Sequence, residues 1–354
     1  MQDILIKELE ISEFRGIRKL AKPLNLESFN VLIGRNNVGK SAILEALYFL
    51  AMPYNYLIRP YDKNIFNFIA DLHGGGPSLI YGRAGKAFLR YKFKTAVKAV
   101  FPRLRGESGE TISKPIVNVE RIELEVFRDG IGRVLINNLG VDYDGYRVLL
   151  ETLGLDPERN VLCLYIPNSS RAYDSIMSFV LRDEVWSWIE KNGFHSKVVR
   201  DILATVVYDK FTEVTIRKDK LCVRKEVSEE IGPLYIDVKS LGEGVKRVLL
   251  AYLAIEYLNP KIVLWDDIEV AAHPSLIEAL LKWLASTNRQ IVLTTHSIDV
   301  LYVLTQIQPK NSKIFILKKD RQDTVQYIEK DIDEIEESLE SGVDIRKIIE
   351  ELQL

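Results

Sequence analysis

One octapeptide near the amino terminus limits the possible folds of this chain more than any other feature. Residues 34–41 read Gly-Arg-Asn-Asn-Val-Gly-Lys-Ser and match the pattern G-x-x-x-x-G-K-[S/T] at every fixed position. The run 29–33 before it is short and apolar, as a buried parallel strand is, and residues 42–50 after it are strong helix formers. A strand, a glycine-containing loop and a helix in this order predict a P-loop α/β core.

The residue types in this loop predict a phosphate-binding site. Successive backbone N–H groups can surround the β-phosphate of a nucleotide, and the amino terminus of the following helix favours an anion. Lys40 would bridge the β- and γ-phosphates as a point charge, and the Ser41 hydroxyl would be a ligand of Mg²⁺. The predicted nucleotide-binding residues of the loop are Gly34, Arg35, Asn36, Asn37, Val38, Gly39, Lys40, Ser41 and Ala42.

A second stretch supplies acids at the end of another predicted strand. Residues 262–265 are apolar, and Asp266 and Asp267 follow directly. Because a P-loop site needs an acid at the tip of a neighbouring strand, Asp266 is the predicted metal carboxylate. Asp267 stands where a general base or a water-orienting residue would lie, and Glu269 follows two positions later. The structural alternative is a strand that ends in a solvated acidic turn.

His296 follows a third buried strand, predicted at residues 290–295. At that position an imidazole could hydrogen-bond the γ-phosphate and report whether it is present. A histidine at a strand end is more often structural when it is considered alone, and only the order of the motifs favours a functional role here. The predicted catalytic residues are therefore Lys40, Asp267, Glu269 and His296.

A glycine-containing segment precedes a predicted helix at residues 240–247. It reads Ser-Leu-Gly-Glu-Gly-Val-Lys-Arg, and small residues leading into a helix form another backbone anion site. A single chain has no obvious use for a second anion site so far from the P-loop. In a head-to-tail dimer, however, this site of one copy could contact the nucleotide bound by the other. The residues predicted for this contact are Ser240, Gly242, Glu243 and Gly244.

These motifs, in this order, resemble those of an ABC-type ATPase head. Phe-Arg-Gly at 14–16, the loop at 34–41 and Asp-Asp-Ile-Glu-x-x-x-His-Pro-Ser at 266–275 resemble the SMC/RecF/OLD branch more closely than transporter cassettes. The resemblance covers about residues 1–50 and 237–304, with weaker echoes up to 342–346. It implies a compact AAA-type ATP-binding domain with neither a coiled-coil arm nor a TOPRIM nuclease module.

The resemblance implies a mechanism and partners as well as a fold. A homodimer would close on two ATP–Mg²⁺, with residues 242–244 of each protomer capping the γ-phosphate bound by the other, and hydrolysis would reopen it. Phe14 and Arg15 would lie near the adenine. In such families the switch serves DNA binding, repair, chromosome organisation or antiphage defence, so double-stranded DNA and a nuclease or other effector protein are the expected partners.

Three departures from the family pattern predict slow hydrolysis. The family's catalytic Glu is Asp267 here, so water activation could be weak or moved to Glu269. The signature Ser is Gly242, with Ser240 as a substitute two residues earlier. No Gln lies between Ser41 and Ser240, so the glutamine that usually touches Mg²⁺ and the attacking water is missing. Turnover on the order of 10 s⁻¹ would contradict this prediction.

The net charge of the whole chain does not indicate nucleic-acid binding, because 48 basic and 50 acidic side chains leave a formal charge of -2. Locally, residues 83–105 carry eight lysines and arginines and no acid. The structural alternative to a DNA contact is cross-strand pairing with acids at 121–125. The possible phosphate-backbone track for DNA consists of Arg90, Lys92, Lys94 and Lys98.

A length of 354 residues with 47% hydrophobic residues suggests about two domains, or one large domain with a lid. We predict an α/β, ABC-type P-loop NTPase with a mixed or parallel core sheet, built from residues 1–50 and 235–354. An antiparallel β lobe with an insertion (51–160) and a helical or lid segment (161–234) would interrupt it.

No apolar run approaches the ~20 residues of a membrane helix, and two cysteines without CxxC spacing indicate a reducing interior. We expect a cytoplasmic protein without a membrane partner.

Two functional classes remain open from the sequence. One is an ATP switch that couples dimerisation to DNA binding. The other is a regulatory ATP-binding dimer that controls a separate effector protein without touching DNA. A transporter cassette is a distant third, disfavoured by the missing glutamine and by His-Pro at 273–274.

Overall fold

The computed structural model describes residues 5–156, 161–204, 209–342 and 345. The strands are β1 (Ile6–Phe14), β2 (Ile17–Leu20), β3 (Leu24–Asn25), β4 (Phe29–Gly34), β5 (Ala87–Val100), β6 (Arg103–Arg105), β7 (Thr111–Ser113), β8 (Ile116–Phe127), β9 (Gly130–Ile136), β10 (Leu139–Gly140), β11 (Cys163–Ile166), β12 (Phe211–Arg217), β13 (Lys220–Ser228), β14 (Gly232–Asp237), β15 (Ile262–Trp265), β16 (Gln290–Thr295), β17 (Ser312–Lys319) and β18 (Thr324–Lys330).

Helices connect and flank these strands. The α-helices are α1 (Lys40–Tyr48), α2 (Ile65–Leu72), α3 (Tyr143–Thr152), α4 (Ser170–Val180), α5 (Asp183–Lys191), α6 (Phe194–Val198), α7 (Glu243–Leu258), α8 (Pro274–Ser286), α9 (Ile298–Ile307) and α10 (Ile332–Glu340). A π-helical turn at Val199–Leu203 extends α6, and 3₁₀ turns lie at Gly76–Leu79, Tyr81–Arg83 and Val238–Ser240.

Five parallel strands form the centre of the main sheet, in the order β11–β15–β16–β4–β17. Strands β4, β15 and β16 are buried at every residue. A parallel strand that is covered on both sides has no polar face, which is why these segments are nearly continuous apolar runs in the sequence. The predicted α/β fold with a mixed core sheet is confirmed.

The same sheet continues beyond the core into a mainly antiparallel part, although β18 and β2 pair in parallel. From β17 it runs through β18, β2, β1, β5, β8, β9 and β10 to the short pair β6 and β7. In β5 buried and exposed residues alternate over most of its length, as predicted for a strand with one covered face. The β8–β9 hairpin turns at Arg128 and Asp129, because Phe127 and Gly130 pair on either side of them.

The segment predicted as helical, 161–234, is only partly so. Strand β11 at its start belongs to the core sheet, and helical turns follow as far as residue 203. Strands β12, β13 and β14 then form a separate three-stranded antiparallel sheet. Parts of the predicted segments lie outside the described residues, namely residues 1–4, 157–160, 205–208, 343–344 and 346–354.

A buried glutamine fastens the first strand to the parallel centre. Gln290, at the start of β16, accepts hydrogen bonds from the backbone N–H of Leu5 (3.3 Å) and Ile6 (3.0 Å). Its amide nitrogen donates to the carbonyls of Ile6 (2.8 Å) and Glu27 (3.0 Å). Every polar atom of this fully buried side chain is therefore satisfied, as burial requires.

The structure also shows the state of the two cysteines and whether a described helix could span a membrane. Cys163 and Cys222 are both free and buried in the structure. Among the described helices, none combines the length and the apolar character that crossing a membrane requires.

Candidate nucleotide-binding site

The loops after β4, β15 and β16 meet at the carboxyl-terminal edge of the parallel strands. Together with the β1–β2 turn and Lys319 they line a cavity of about 640 Å³. Because β15, β16 and β4 pair side by side in parallel, the loops that follow them begin at one edge of the sheet. Ligands of open α/β sheets bind at this edge. The cavity is lined by Arg15, Gly16, Asn36, Asn37, Gly39, Lys40, Ser41, Ala42, Asp267, His296 and Lys319.

The P-loop backbone has a shape that requires glycine directly before α1. Gly39 has a φ of 109°, in the region that L side chains rarely adopt. A Cβ at this position would also lie 2.9 Å from Cδ1 of Ile17, which is closer than real side chains approach. The second fixed glycine of the motif is therefore demanded by local geometry.

Lys40 is held against the inside of the loop. Its Nζ donates to the carbonyl oxygens of Gly34 (3.0 Å) and Arg35 (3.1 Å), and the residue is only 6% exposed. Burial lowers the pKa of the Lys40 ammonium, and the nearby carboxylates of Asp267 and Asp266 oppose that change. The structure thus places a positive charge where the P-loop surrounds the cavity.

Asp266 contacts Ser41, which lines the cavity. The Ser41 hydroxyl and the Thr294 hydroxyl both donate to the Asp266 carboxylate, the latter over 2.6 Å. Burial raises the pKa of Asp266, which is 7% exposed, and the two hydrogen bonds oppose the rise. One carboxylate and one hydroxyl, both hard oxygen donors, fit Mg²⁺, which takes few protein ligands beside phosphate and water.

An Asp266→Asn variant should be more stable than the wild type when no nucleotide is present. Because the folded-state pKa of Asp266 lies above its unfolded value, the folded state binds more protons between those two values, and stability falls as pH rises through that window. Removing the buried charge should raise Tm at pH 7 by about 1–3 °C. Scanning calorimetry tests this.

The same variant should gain no further stability from ATP and Mg²⁺, whereas the wild type should. A nucleotide-free Asp266→Asn protein that melts below the wild type would show that the ionised carboxylate stabilises the loop instead of straining it.

Asp267 and His296 face each other at the cavity wall. Asp267 has a φ of 49°, and its backbone N–H donates to the Thr294 hydroxyl over 2.7 Å. His296 Nε2 lies 3.8 Å from Asp267 Oδ1. Asn168 donates from Nδ2 to the other carboxylate oxygen over 3.2 Å. The structure therefore brings the predicted base and the predicted phosphate sensor together.

Glu269 is not brought to the cavity wall. Its Oε1 accepts a hydrogen bond from the backbone N–H of His296 over 2.7 Å, so it holds the loop after β16. Its Oε2 is buried and has no hydrogen-bond partner within the described part of the chain. The geometry gives Glu269 a supporting position beside His296 rather than one facing the cavity.

The two residues predicted to lie near the adenine, Phe14 and Arg15, have different surroundings in the structure. Phe14 is fully buried, and its ring packs edge-on against Phe49 with 5.8 Å between centroids, so its side chain does not line the cavity. The reason is that Phe14 ends β1 on the inward face of that strand. Arg15 does line the cavity, and it donates to the buried Glu45 of α1 over 2.5 Å.

The segment 240–247 starts helix α7 and does not line this cavity in its own chain. Gly242 directly precedes the helix, Glu243 is its first residue, and Ser240 ends a 3₁₀ turn. Gly244 packs closely on the loop after Asp267, since a Cβ on it would lie 2.2 Å from the carbonyl oxygen of Ala271. The start of α7 is thus fixed to the loop after β15.

The basic segment on β5 is largely paired with acids of neighbouring strands. Arg90 contacts Glu10 (2.7 Å) and Glu123 (3.2 Å), and Lys92 contacts Glu8 (2.8 Å). The structural alternative of cross-strand pairing therefore holds for these two, and β1 supplies two of the three acids. The other two predicted residues, Lys94 and Lys98, are exposed on the same strand.

Two residues of the site were missed by the sequence analysis. Thr294 contacts both Asp266 and Asp267, and the Thr-Thr pair ending an apolar run before His296 was a signal for it. Asn168 is the second, and it contacts Arg247 and Asp267, which are distant in the sequence. Its signal was weaker, an amide two residues after the short apolar strand β11.

Two family models match the sequence. Residues 5–131 match a family described as an AAA ATPase domain. Residues 163–302 match a family described as an AAA domain and linked in that description to the AbiEii toxin and Type IV toxin–antitoxin systems. The two matched segments do not overlap and together span more than half of the chain. No curated protein matches the sequence.

Two solved structures share the fold. The Smc head domain of Pyrococcus furiosus with an extended coiled coil, bound to the C-terminal domain of ScpA, has a TM-score of 0.58 at 13% identity and covers 95% of this chain and 99% of its own. An SmcHead bound to the C-winged helix domain of ScpA has a TM-score of 0.59 at 12% identity, covering 93% and 99%. The chain therefore carries segments that match AAA ATPase domain families, and it has the fold of the Smc head domains.

Proposed function

We propose that this chain is an ATP-binding switch that dimerises head to tail around two ATP–Mg²⁺ and hydrolyses ATP slowly. One observation carries the proposal: Lys40, Ser41 and Asp266 converge at the P-loop, while the glycine-containing start of α7 does not line the cavity of its own chain. A second copy could supply that helix start as the missing wall of the cavity. The amino-terminal N–H groups of a helix favour an anion such as a γ-phosphate.

Each residue of the site has a place in this proposal. The P-loop N–H groups and Lys40 would hold the phosphates. Ser41 and Asp266 would hold Mg²⁺, which when bound neutralises charge on the phosphate oxygens. Asp267 would orient the attacking water and accept its proton, and His296 would contact the γ-phosphate. Because Asp267 is one methylene shorter than the Glu of related heads, we expect low turnover.

The Asp267→Asn variant tests dimerisation directly. We expect it to sediment as a dimer when ATP and Mg²⁺ are saturating, and as a monomer without nucleotide, because it binds ATP but hydrolyses it at least 100-fold more slowly. Sedimentation velocity measures the first property and phosphate release the second. Asp183→Asn, an exposed carboxylate at the start of α5, is the matched control. A variant that stays monomeric at saturating ATP would overturn the proposal.

We further propose that the dimer couples to double-stranded DNA in repair, genome maintenance or defence. Exposed Lys94 and Lys98 on β5 support this, since lysines on one strand can follow a phosphate backbone. Reversing both Lys92 and Lys94 to Glu should weaken DNA binding at least tenfold and flatten its salt dependence. Filter binding across a salt series tests it, with Lys282→Glu on α8 as the control. Unchanged affinity would remove β5 from the DNA surface.

A second candidate function is regulation of a separate effector protein by the ATP-bound dimer. The pairing of Arg90 and Lys92 with acids favours it, because it leaves less positive charge for DNA. A link of one family description to a toxin, and the ScpA-bound state of two similar heads, also support a protein partner. Co-purification of a nuclease or toxin with the Asp267→Asn dimer, and not with the ATP-free protein, would favour this function.

A further inference from the structure

An amide side chain connects the start of α7 to the predicted base. Asn168 lies two residues beyond β11, the strand next to β15 in the sheet. Its Oδ1 accepts a hydrogen bond from Arg247 Nη1 over 3.0 Å, and its Nδ2 donates to Asp267 Oδ2 over 3.2 Å. The orientation of the amide is determined by these neighbours, because a guanidinium can only donate and an ionised carboxylate can only accept.

Arg247 is itself held in place on α7. Its Nε donates to Glu243 Oε1 over 3.0 Å, one turn earlier at the first residue of the helix. Its guanidinium lies 4.9 Å from the centre of the Tyr173 ring, and its side chain is 13% exposed. The donor that meets Asn168 therefore moves with the start of α7.

Asp267 is equally constrained at the other end of the connection. Its backbone N–H is bound by Thr294, and Oδ1 of its carboxylate faces His296. Oδ2 is the atom that Asn168 contacts. The two oxygens thus have different neighbours, and the direction of Oδ1 toward the cavity depends on what holds Oδ2.

We propose that Asn168 is a positioning residue that ties the orientation of Asp267 to the start of α7 in the same chain. The inference rests on the proposed function, in which the start of α7 contacts the ATP held by the other protomer. Engagement of one ATP by Glu243 and its neighbours then reaches the Asp267 that acts on the other ATP, through Arg247 and one amide. The consequence is positive cooperativity between the two hydrolysis sites of the dimer.

Replacing the amide tests the connection. Asn168→Ala should lower kcat about tenfold while KM for ATP changes less than twofold, and the Hill coefficient for ATP should fall from above one to one. Arg247→Ala should lower kcat as well, and the double variant should be no slower than the slower single variant, because both changes break one chain of contacts. Ser169→Ala, whose side chain makes no capping hydrogen bond, is the neighbouring control and should match the wild type.

A variant of nearly equal size separates positioning from packing. Asn168→Asp retains an acceptor for Arg247 but turns a carboxylate toward Asp267, so it should be at least as slow as Asn168→Ala although its shape is preserved. Wild-type kcat in either Asn168 variant, or a wild-type Hill coefficient of one, overturns the coupling. If the wild type dimerises with ATP and the Asn168 variants behave like it, only this inference fails; if the Asp267→Asn protein stays monomeric, the proposed function fails with it.

Discussion

A Lys40→Met variant should lose at least 100-fold in its rate of ATP hydrolysis. Lys40 carries the positive charge of the P-loop and already lies at the carbonyls of Gly34 and Arg35, so little rearrangement is needed for it to meet a phosphate. Removing one preorganised group of this kind commonly costs 10²–10³-fold, or about 3–4 kcal/mol. Phosphate release at saturating ATP and Mg²⁺ measures the loss.

The loss should be specific to nucleotide chemistry. Nucleotide-free Lys40→Met should melt within a few degrees of the wild type, because removing a buried ammonium relieves the desolvation that lowers its pKa while two hydrogen bonds are lost. Lys282→Met, an exposed lysine on α8, is the control and should hydrolyse ATP normally. A Lys40 variant with more than a tenth of wild-type turnover would contradict a P-loop role for this lysine.

Gly244→Ala should lower the free energy of unfolding by about 1–3 kcal/mol, the usual range for overpacking a tight contact. The added methyl group would lie 2.2 Å from the carbonyl oxygen of Ala271 and 3.0 Å from the Cα of Ala272. Both neighbours are backbone, so the start of α7 or the loop after β15 must move. Urea denaturation measures the change, and ATP-driven dimerisation should weaken with it.

Gly242 provides a matched control two residues earlier. A Cβ on Gly242 meets nothing within 4 Å in the protomer, so Gly242→Ala should unfold at the same urea concentration as the wild type. In the proposed dimer that methyl group would face the partner's γ-phosphate, so dimerisation should fall even though stability does not. If the two alanine variants are equally stable, the loop after β15 can move away from the added methyl group at little cost in free energy, which contradicts the prediction for Gly244→Ala.

The features that the sequence predicts correctly are those whose local structure is determined by residues adjacent in the chain. The P-loop, the two acids after β15 and the buried strands were predicted because each is a short contiguous pattern with its own periodicity. His296 was placed by its position after a buried strand. For these elements the local sequence pattern favours the same structure that the complete fold adopts, so the pattern alone is enough to predict them.

The features that were missed depend on contacts between distant residues. The contacts that make Asn168 part of the site are with Arg247 and Asp267, which are 79 and 99 positions away, and its place two residues after β11 is only a weak local signal. Phe14 was expected near a ligand because of the motif that contains it, but the inward face of β1 determines its place. The sheet β12–β14 was missed because the segment was grouped with the helices before it.

The order of strands in the main sheet determines where this chain can be cut or enlarged. Strand β4, from the first matched family segment, lies between β16 of the second segment and β17 beyond it. Neither half has a complete sheet, so separate expression of the two halves should yield fragments that recover their shape only when mixed. The β6–β7 pair, by contrast, ends the sheet far from β4. The loop between those strands is therefore the place where a fluorescent reporter could be inserted without disturbing the parallel centre.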